Sequence, residues 1–191
     1  MGEPTSEPPG EPPDKKKPLK VMAFDEARFG LINWHYRRYC PAGFRPPRIV
    51  RRRYEWSWLY AAVEPATGES FCSYMPGVDG KCLESFFKGL SEAYPDHHLV
   101  LVLDNAPSHR SKQIALPENL TLLRLPRYSP ELNPAERWFL EFRRALSNKS
   151  FESVELLQQA LTRTLEPYWR KPALLKRLVG YSWWVETIES L

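Results

Sequence analysis

Three acidic residues stand where they could do metal chemistry: Asp25, Asp104 and Glu136. Asp25 and Asp104 each close one of the two most apolar runs of the chain, residues 19–24 and 99–103, and Glu136 lies on the first turn of a helical pattern. Carboxylate oxygens are the ligands that hard divalent cations such as Mg2+ and Mn2+ take, and Mg2+ keeps positions open for water and phosphate oxygens. Two such ions about 4 Å apart can assist both the attacking and the leaving oxygen of an in-line displacement at phosphorus. The same residues also have ordinary uses. An acid at a strand end commonly serves a turn, and one at a helix start favours the helix dipole. Spacing alone leaves both readings open.

Neighbouring positions divide in the same way. Glu26 follows Asp25 directly, so it points to the opposite face if the strand continues. Asn105 and His109 lie just past Asp104 and could orient a ligand, a water or a phosphate, or else cap a turn and sit on a helix surface. Asn133 reads as a helix cap ahead of Pro134, which suits the first helical position. Glu131 precedes that helix and competes with Glu136 as the third acid. His97 and His98 sit in a polar stretch before a strand and read as solvent-facing. Arg45, Arg48, Arg51, Arg52 and Arg53 crowd one short segment, with Tyr54, Trp56 and Trp58 directly after. Such a run is either a solvated face or a surface for sequence-blind contact with nucleic-acid phosphates. Trp56, Trp58, Tyr128 and Trp138 read as packing residues rather than platforms for bases.

The elements that must hold these residues follow from periodicity. Short apolar or alternating runs at 19–24, 29–40, 56–63 and 70–75 predict an antiparallel meander, with a turn at residues 64–68. Cys82, Phe86, Phe87 and Leu90 have helical spacing and end at Tyr94-Pro95-Asp96. Strands are predicted at 99–103 and 120–125, with a short helix at 108–115 between them. Further helices are predicted from Pro134 through Leu146 and over 154–165. A meander joined to crossover units gives an α/β fold, a mixed sheet flanked by helices. The aromatic and basic stretch 167–191 carries no clear pattern.

With 191 residues, 42% of them hydrophobic, the chain suits one globular domain with a sizeable core. It contains neither an apolar run of membrane-spanning length nor the charged-then-apolar pattern of a signal peptide, so a cytoplasmic protein is expected. Cys40, Cys72 and Cys82 are an odd, widely spaced set, which fits free thiols better than disulfides or zinc. Lys and Arg number 27 against 23 Asp and Glu, a net charge of +4 that permits a polyanionic partner without requiring one. Residues 1–19 hold Pro4, Pro8, Pro9, Pro12 and Pro13 among Glu, Gly and Ser, then Lys15, Lys16 and Lys17, and read as an extended linker. No helix-turn-helix pattern is present to read a DNA sequence.

The segments around the acids are more specific than their spacing. Phe24-Asp25-Glu26-Ala27-Arg28-Phe29-Gly30, Leu103-Asp104-Asn105-Ala106-Pro107-Ser108-His109 and Leu125-Pro126-Arg127-Tyr128-Ser129-Pro130-Glu131-Leu132-Asn133-Pro134-Ala135-Glu136 together resemble the signatures of DDE-type transposases. The similarity is greatest to the mariner-related group of bacterial insertion sequences and covers nearly all of residues 20–166. The interval from Asp104 to Glu136 is close to that family's usual gap. Arg127 departs from the pattern, since the family more often has a second proline there; an arginine alters loop stiffness or adds a phosphate contact. The resemblance implies a ribonuclease H-like catalytic domain over 20–166 with a mixed five-stranded sheet. It further implies Asp25, Asp104 and Glu136 as catalytic acids binding Mg2+ or Mn2+, two ions in all, DNA as substrate, and a homodimer bridging two DNA ends.

Overall fold

The computed structural model describes residues 17–32, 36–37, 39–44, 53–105, 114–126 and 129–189. The linker residues before Lys17, four of the clustered arginines (Arg45, Arg48, Arg51 and Arg52), His109 with most of its expected helix, Arg127 and Tyr128 lie outside them. Five strands form one sheet in the order β3-β2-β1-β4-β5. They are β1 (Leu19–Gly30), β2 (Trp56–Val63), β3 (Ser70–Met75), β4 (His98–Leu103) and β5 (Leu120–Arg124). The first three pair antiparallel, whereas β4 runs parallel to β1 and β5 parallel to β4. This mixed order, meander first and crossovers after, is the ribonuclease H-like arrangement that the resemblance implied.

Alternation along β1 sorts the core into two layers. Val21, Ala23, Ala27 and Phe29 face one side, where they pack with Ala135, Trp138, Phe139, Phe142 and Leu146 of α2 (Pro134–Leu146). Met22 and Phe24 face the other side, against Leu83, Phe86, Phe87 and Leu90 of α1 (Gly80–Ala93). The α1 layer is rich in rings: Phe24 lies 4.9 Å from Phe86 and 5.9 Å from Phe87, and Phe86 lies 5.3 Å from Phe71. A side chain of this size contributes about 1.5–3 kcal/mol by burial, and an edge-to-face partner adds about 0.5–1.5 kcal/mol. Asp79 caps α1 by accepting from the Cys82 amide, and Ser153 caps α3 (Val154–Arg170) by accepting from Leu156.

Two expectations are revised. The described residues of 29–40 hold no separate strand: β1 runs unbroken to Gly30, and those beyond it are outside any strand. The aromatic spacing after Phe29 imitates strand alternation, but Tyr36 and Tyr39 are exposed and have no sheet face to fill. A boundary after residue 166 falls inside α3, which continues to Arg170. Past it, α4 (Pro172–Val179) and α5 (Ser182–Glu189) dock on the α2 layer, burying Leu175, Val179 and Trp184. Residues 172–184 therefore belong to the same core. Among the described residues no helix is long and apolar enough to cross a membrane. The cysteines are free, with Cys40 exposed and Cys82 buried.

Candidate active site

The acid cluster is assembled by register. The β1–β4 ladder pairs Ala23 with Val102, so two residues further along both strands Asp25 comes level with Asp104. Asp25 is an odd-numbered residue of β1 and therefore faces the α2 layer, while Glu26 turns to the α1 side beside Tyr60. Glu136 enters from that α2 layer, in the first turn of the helix. Asn133 sets the entry. Its side chain accepts the Ala135 amide at 3.1 Å and donates to the Phe24 carbonyl at 2.9 Å, fastening the helix start to the residue before Asp25.

The electrostatics show that these carboxylates sense one another. Burial raises the Asp25 carboxyl well above the usual carboxylate range, and the charges of Glu136, Glu26 and, more weakly, Asp104 add to the rise. A hydrogen bond from the Glu26 amide to Asp25 Oδ1 at 2.8 Å works against it. It is Glu136 whose charge reaches Asp25, which separates it from the exposed Glu131 in the 3-10 turn Pro130–Leu132. On the other side of Glu136, Arg143 Nη1 stands 4.0 Å from its Oε2. Sequence reading passed over Arg143; the available signal was its position two helical turns after Glu136, on the same face.

Such a field suits a divalent cation. Several oxygen ligands, mutually repelling and partly withdrawn from water, are what Mg2+ or Mn2+ relieves, so the donor chemistry fits. Among the described residues, no three His, Cys, Asp or Glu side chains stand close enough to ligate a single ion. The β1–β4 register, which brings Asp25 level with Asp104, carries the argument, and the direction of the Asp25 shift agrees with it.

Remaining candidates fall into place unevenly. The Asn105 side chain donates to the Leu125 carbonyl, tying the exit of β4 to the exit of β5. Leu125 also donates its amide to the Leu103 carbonyl at 2.9 Å, a second tie between the two exits. Arg53 has its guanidinium engaged within the protein, 2.9 Å from Glu55 and donating to the Glu152 carbonyl at 2.5 Å, so it braces β2 against the α2–α3 connection. Trp138 is fully buried, as its spacing predicts, whereas Trp56 is 45% exposed with Arg28 lying 5.4 Å over its ring. His98 is hydrogen-bonded to Thr121 at 2.9 Å across the β4–β5 pair.

With this geometry in hand, comparison with known proteins decides the family. A profile of the DDE superfamily endonucleases matches residues 20–158, most of the chain and a span that contains Asp25, Asp104 and Glu136. The chain belongs to the DDE superfamily endonucleases. Of curated proteins, "Uncharacterized protein y4pE/y4sA" of Sinorhizobium fredii (strain NBRC 101917 / NGR234) is 32% identical over 102 residues, spanning 52% of this chain and 76% of its own length. Among solved structures, a pre-cleavage Mos1 transpososome superposes with a TM-score of 0.61 at 19% identity, over 83% of this chain and 53% of that one. The Mos1 mariner paired end complex with Mn gives 0.59 at 19% identity, with the same two coverages. At such identities the likeness establishes the ribonuclease H-like fold of this endonuclease domain. The chain spans about half the length of the Mos1 chains it matches.

Proposed function

We propose that this endonuclease domain is the catalytic part of a metal-dependent DNA transposase. It cuts phosphodiester bonds at transposon ends and joins the freed 3′ hydroxyl to target DNA. The observation that carries this reading is the DDE superfamily match over residues 20–158 together with the β1–β4 register that brings Asp25 level with Asp104. Asp25, Asp104 and Glu136 would hold Mg2+ or Mn2+, with two ions accommodated if Asp25 is shared. Bound there, the ions would stabilise charge on the attacking and leaving oxygens.

The chain's own residues do the rest by placement. Two strands and a helix start carry the three carboxylates, so the backbone would need little reorganisation for the reaction. Hydrolysis breaks the bond between phosphorus and the 3′ oxygen, leaving a 3′ hydroxyl on the element. That hydroxyl then attacks a target phosphorus and displaces the target's own 3′ oxygen, so no covalent protein–DNA bond is needed. Arg45, Arg48, Arg51 and Arg52 would supply sequence-blind, salt-sensitive contact with the DNA backbone, and Arg127 a further phosphate contact. His109, following Asp104 in the same motif, would orient a water or a phosphate oxygen. We assign the protein a cytoplasmic location and a homodimeric working state, which lets two DNA ends be cut together.

Nicking of supercoiled plasmid by the purified chain tests this, with Mg2+, Mn2+, Ca2+ or EDTA, beside Asp104→Ala. Nicking with Mg2+ or Mn2+ that vanishes in EDTA and in the variant supports the three-acid site. Joining of a labelled pre-cut end to plasmid then separates a transposase from a nuclease that only hydrolyses. A chain that binds DNA and never cuts it under these conditions rules out the enzymatic reading.

A further inference from the structure

We propose that Asn133 is a positioning residue that fixes Glu136 relative to Asp25 and thereby sets the affinity of the acid cluster for divalent cations. This rests on the metal-binding reading of that cluster. Asn133 is 5% exposed, and each of its polar groups has a partner. Its amide donates to the Pro130 carbonyl at 2.9 Å, closing the 3-10 turn, and its own carbonyl accepts the Glu136 amide at 3.2 Å. The side-chain oxygen caps α2 through Ala135, and the side-chain nitrogen reaches Phe24 on β1.

Capping alone does not explain the choice of residue. A helix N-terminus needs only an acceptor, which Ser, Thr or Asp supplies as well. Asparagine adds a donor, and that donor goes to the carbonyl immediately before Asp25, just past the point where the β1–β4 register ends at Ala23 and Val102. A single planar amide therefore spans the gap between the strand carrying Asp25 and the turn carrying Glu136. The remainder of α2 is held by Trp138, Phe139 and Phe142 in the core, so the helix stays docked without the bridge. Its first turn would not stay in register. Carboxylates that must share cations tolerate little slippage, and losing a support behind a metal ligand typically weakens metal binding by about 10–100-fold.

Asn133→Ser separates the two roles, because serine still caps the helix and is too short to reach Phe24. The full chain is titrated with Mn2+ alone by calorimetry, and its melting is followed in EDTA and in Mn2+. The expected result is melting within a few degrees of the parent in EDTA, Mn2+ affinity weakened by roughly tenfold or more, and a smaller Mn2+-induced rise in melting temperature. Parental Mn2+ affinity in a folded Asn133→Ser overturns the proposal while leaving the metal site standing. A parent that binds no Mn2+ overturns the metal site and this inference together. If the variant does not fold, the unaltered chain decides by NMR. The Asn133 side-chain amide protons must exchange slowly and shift when Mg2+ is added; rapid exchange or no shift overturns the proposal.

Discussion

Arg143 Nη1 approaches Glu136 Oε2 to 4.0 Å along one face of α2, so the acid whose charge opposes ionisation of Asp25 has a cation of its own. Glu136 is the more exposed partner, at 41% of its side chain against 25% for Arg143. Water therefore screens the pair to about 1 kcal/mol, near the upper end for exposed ion pairs. A metal ion arriving at Glu136 must compete with that guanidinium. Arg143→Gln is expected to tighten Mn2+ binding by about fivefold, the equivalent of that energy. Calorimetric titration of both proteins in low salt checks it, and equal or weaker binding by the variant refutes the competition.

The Asp25 carboxyl makes an opposite kind of prediction, about the metal-free fold. Its folded pKa lies well above the ordinary value, through burial first and then Glu136, Glu26 and Asp104. The stability linked to a raised acid is fully present below the unfolded value of about 3.9 and is lost as pH rises through the folded value. At neutral pH in EDTA, Asp25 therefore opposes folding. Asp25→Asn is expected to melt higher than the parent at pH 7.5 in EDTA, with the gap closing as the pH falls towards 4. Saturating Mg2+ should reverse the order, since only the parent gains a ligand there. Thermal melts across pH, with and without metal, read both effects; a variant less stable than the parent in EDTA contradicts the argument.

These acids were legible in the sequence for a physical reason. Apolar runs that end abruptly in Asp read as buried strands with a polar terminus, and the motif around each acid did the remaining selection. The opposite orientations of Asp25 and Glu26 followed from strand alternation alone. The second bond of Asn133 was not legible, because it depends on how α2 crosses β1 and a helical period does not encode crossing, whereas the spacing of Arg143 from Glu136 along α2 was there to be read. The C-terminal helices were obscure for another reason. Tyr168, Trp169, Trp183 and Trp184 mix with Arg170 and Lys171, and only packing in the α2-side core shows that Trp184 is buried while Trp183 is 42% exposed.

Contact between the β2–β3 turn and α4 gives that C-terminal docking a sharp test. Gly68 has φ of +83°, and a Cβ placed there would lie 2.0 Å from the Pro172 carbonyl oxygen and 2.7 Å from the Lys176 amide nitrogen. Both obstacles are backbone and cannot rotate away. Gly68→Ala pays the left-handed penalty of about 1–2 kcal/mol and must also push α4 outward, so a loss of about 3 kcal/mol is expected. For a chain of this size that lowers the melting temperature by about 6–12 °C. Limited proteolysis should then cut first within residues 171–181. An unchanged melting temperature would mean that α4 does not sit on this turn.

Lys20 tests the far end of β1 from the acids. Its ammonium is 2.6 Å from Glu64 and 2.8 Å from Glu69, and lies 4.9 Å over the Tyr94 ring. Burial works to lower its pKa, but the hydrogen bonds and charges of the two glutamates outweigh burial and hold it raised. Glu64 is the partner at risk, with 12% of its side chain exposed against 47% for Glu69. Removing the cation strands the Glu64 carboxylate, which also accepts from Thr67, in a largely dry site. Lys20→Met is expected to cost about 3–5 kcal/mol, as breaking a buried pair does, whereas Lys20→Met with Glu64→Gln should recover much of it. Urea denaturation of the two variants measures the difference. Equal stabilities would show that the pair is solvated. Mn2+ affinity, set at the other end of the strand, should be the same in both folded variants.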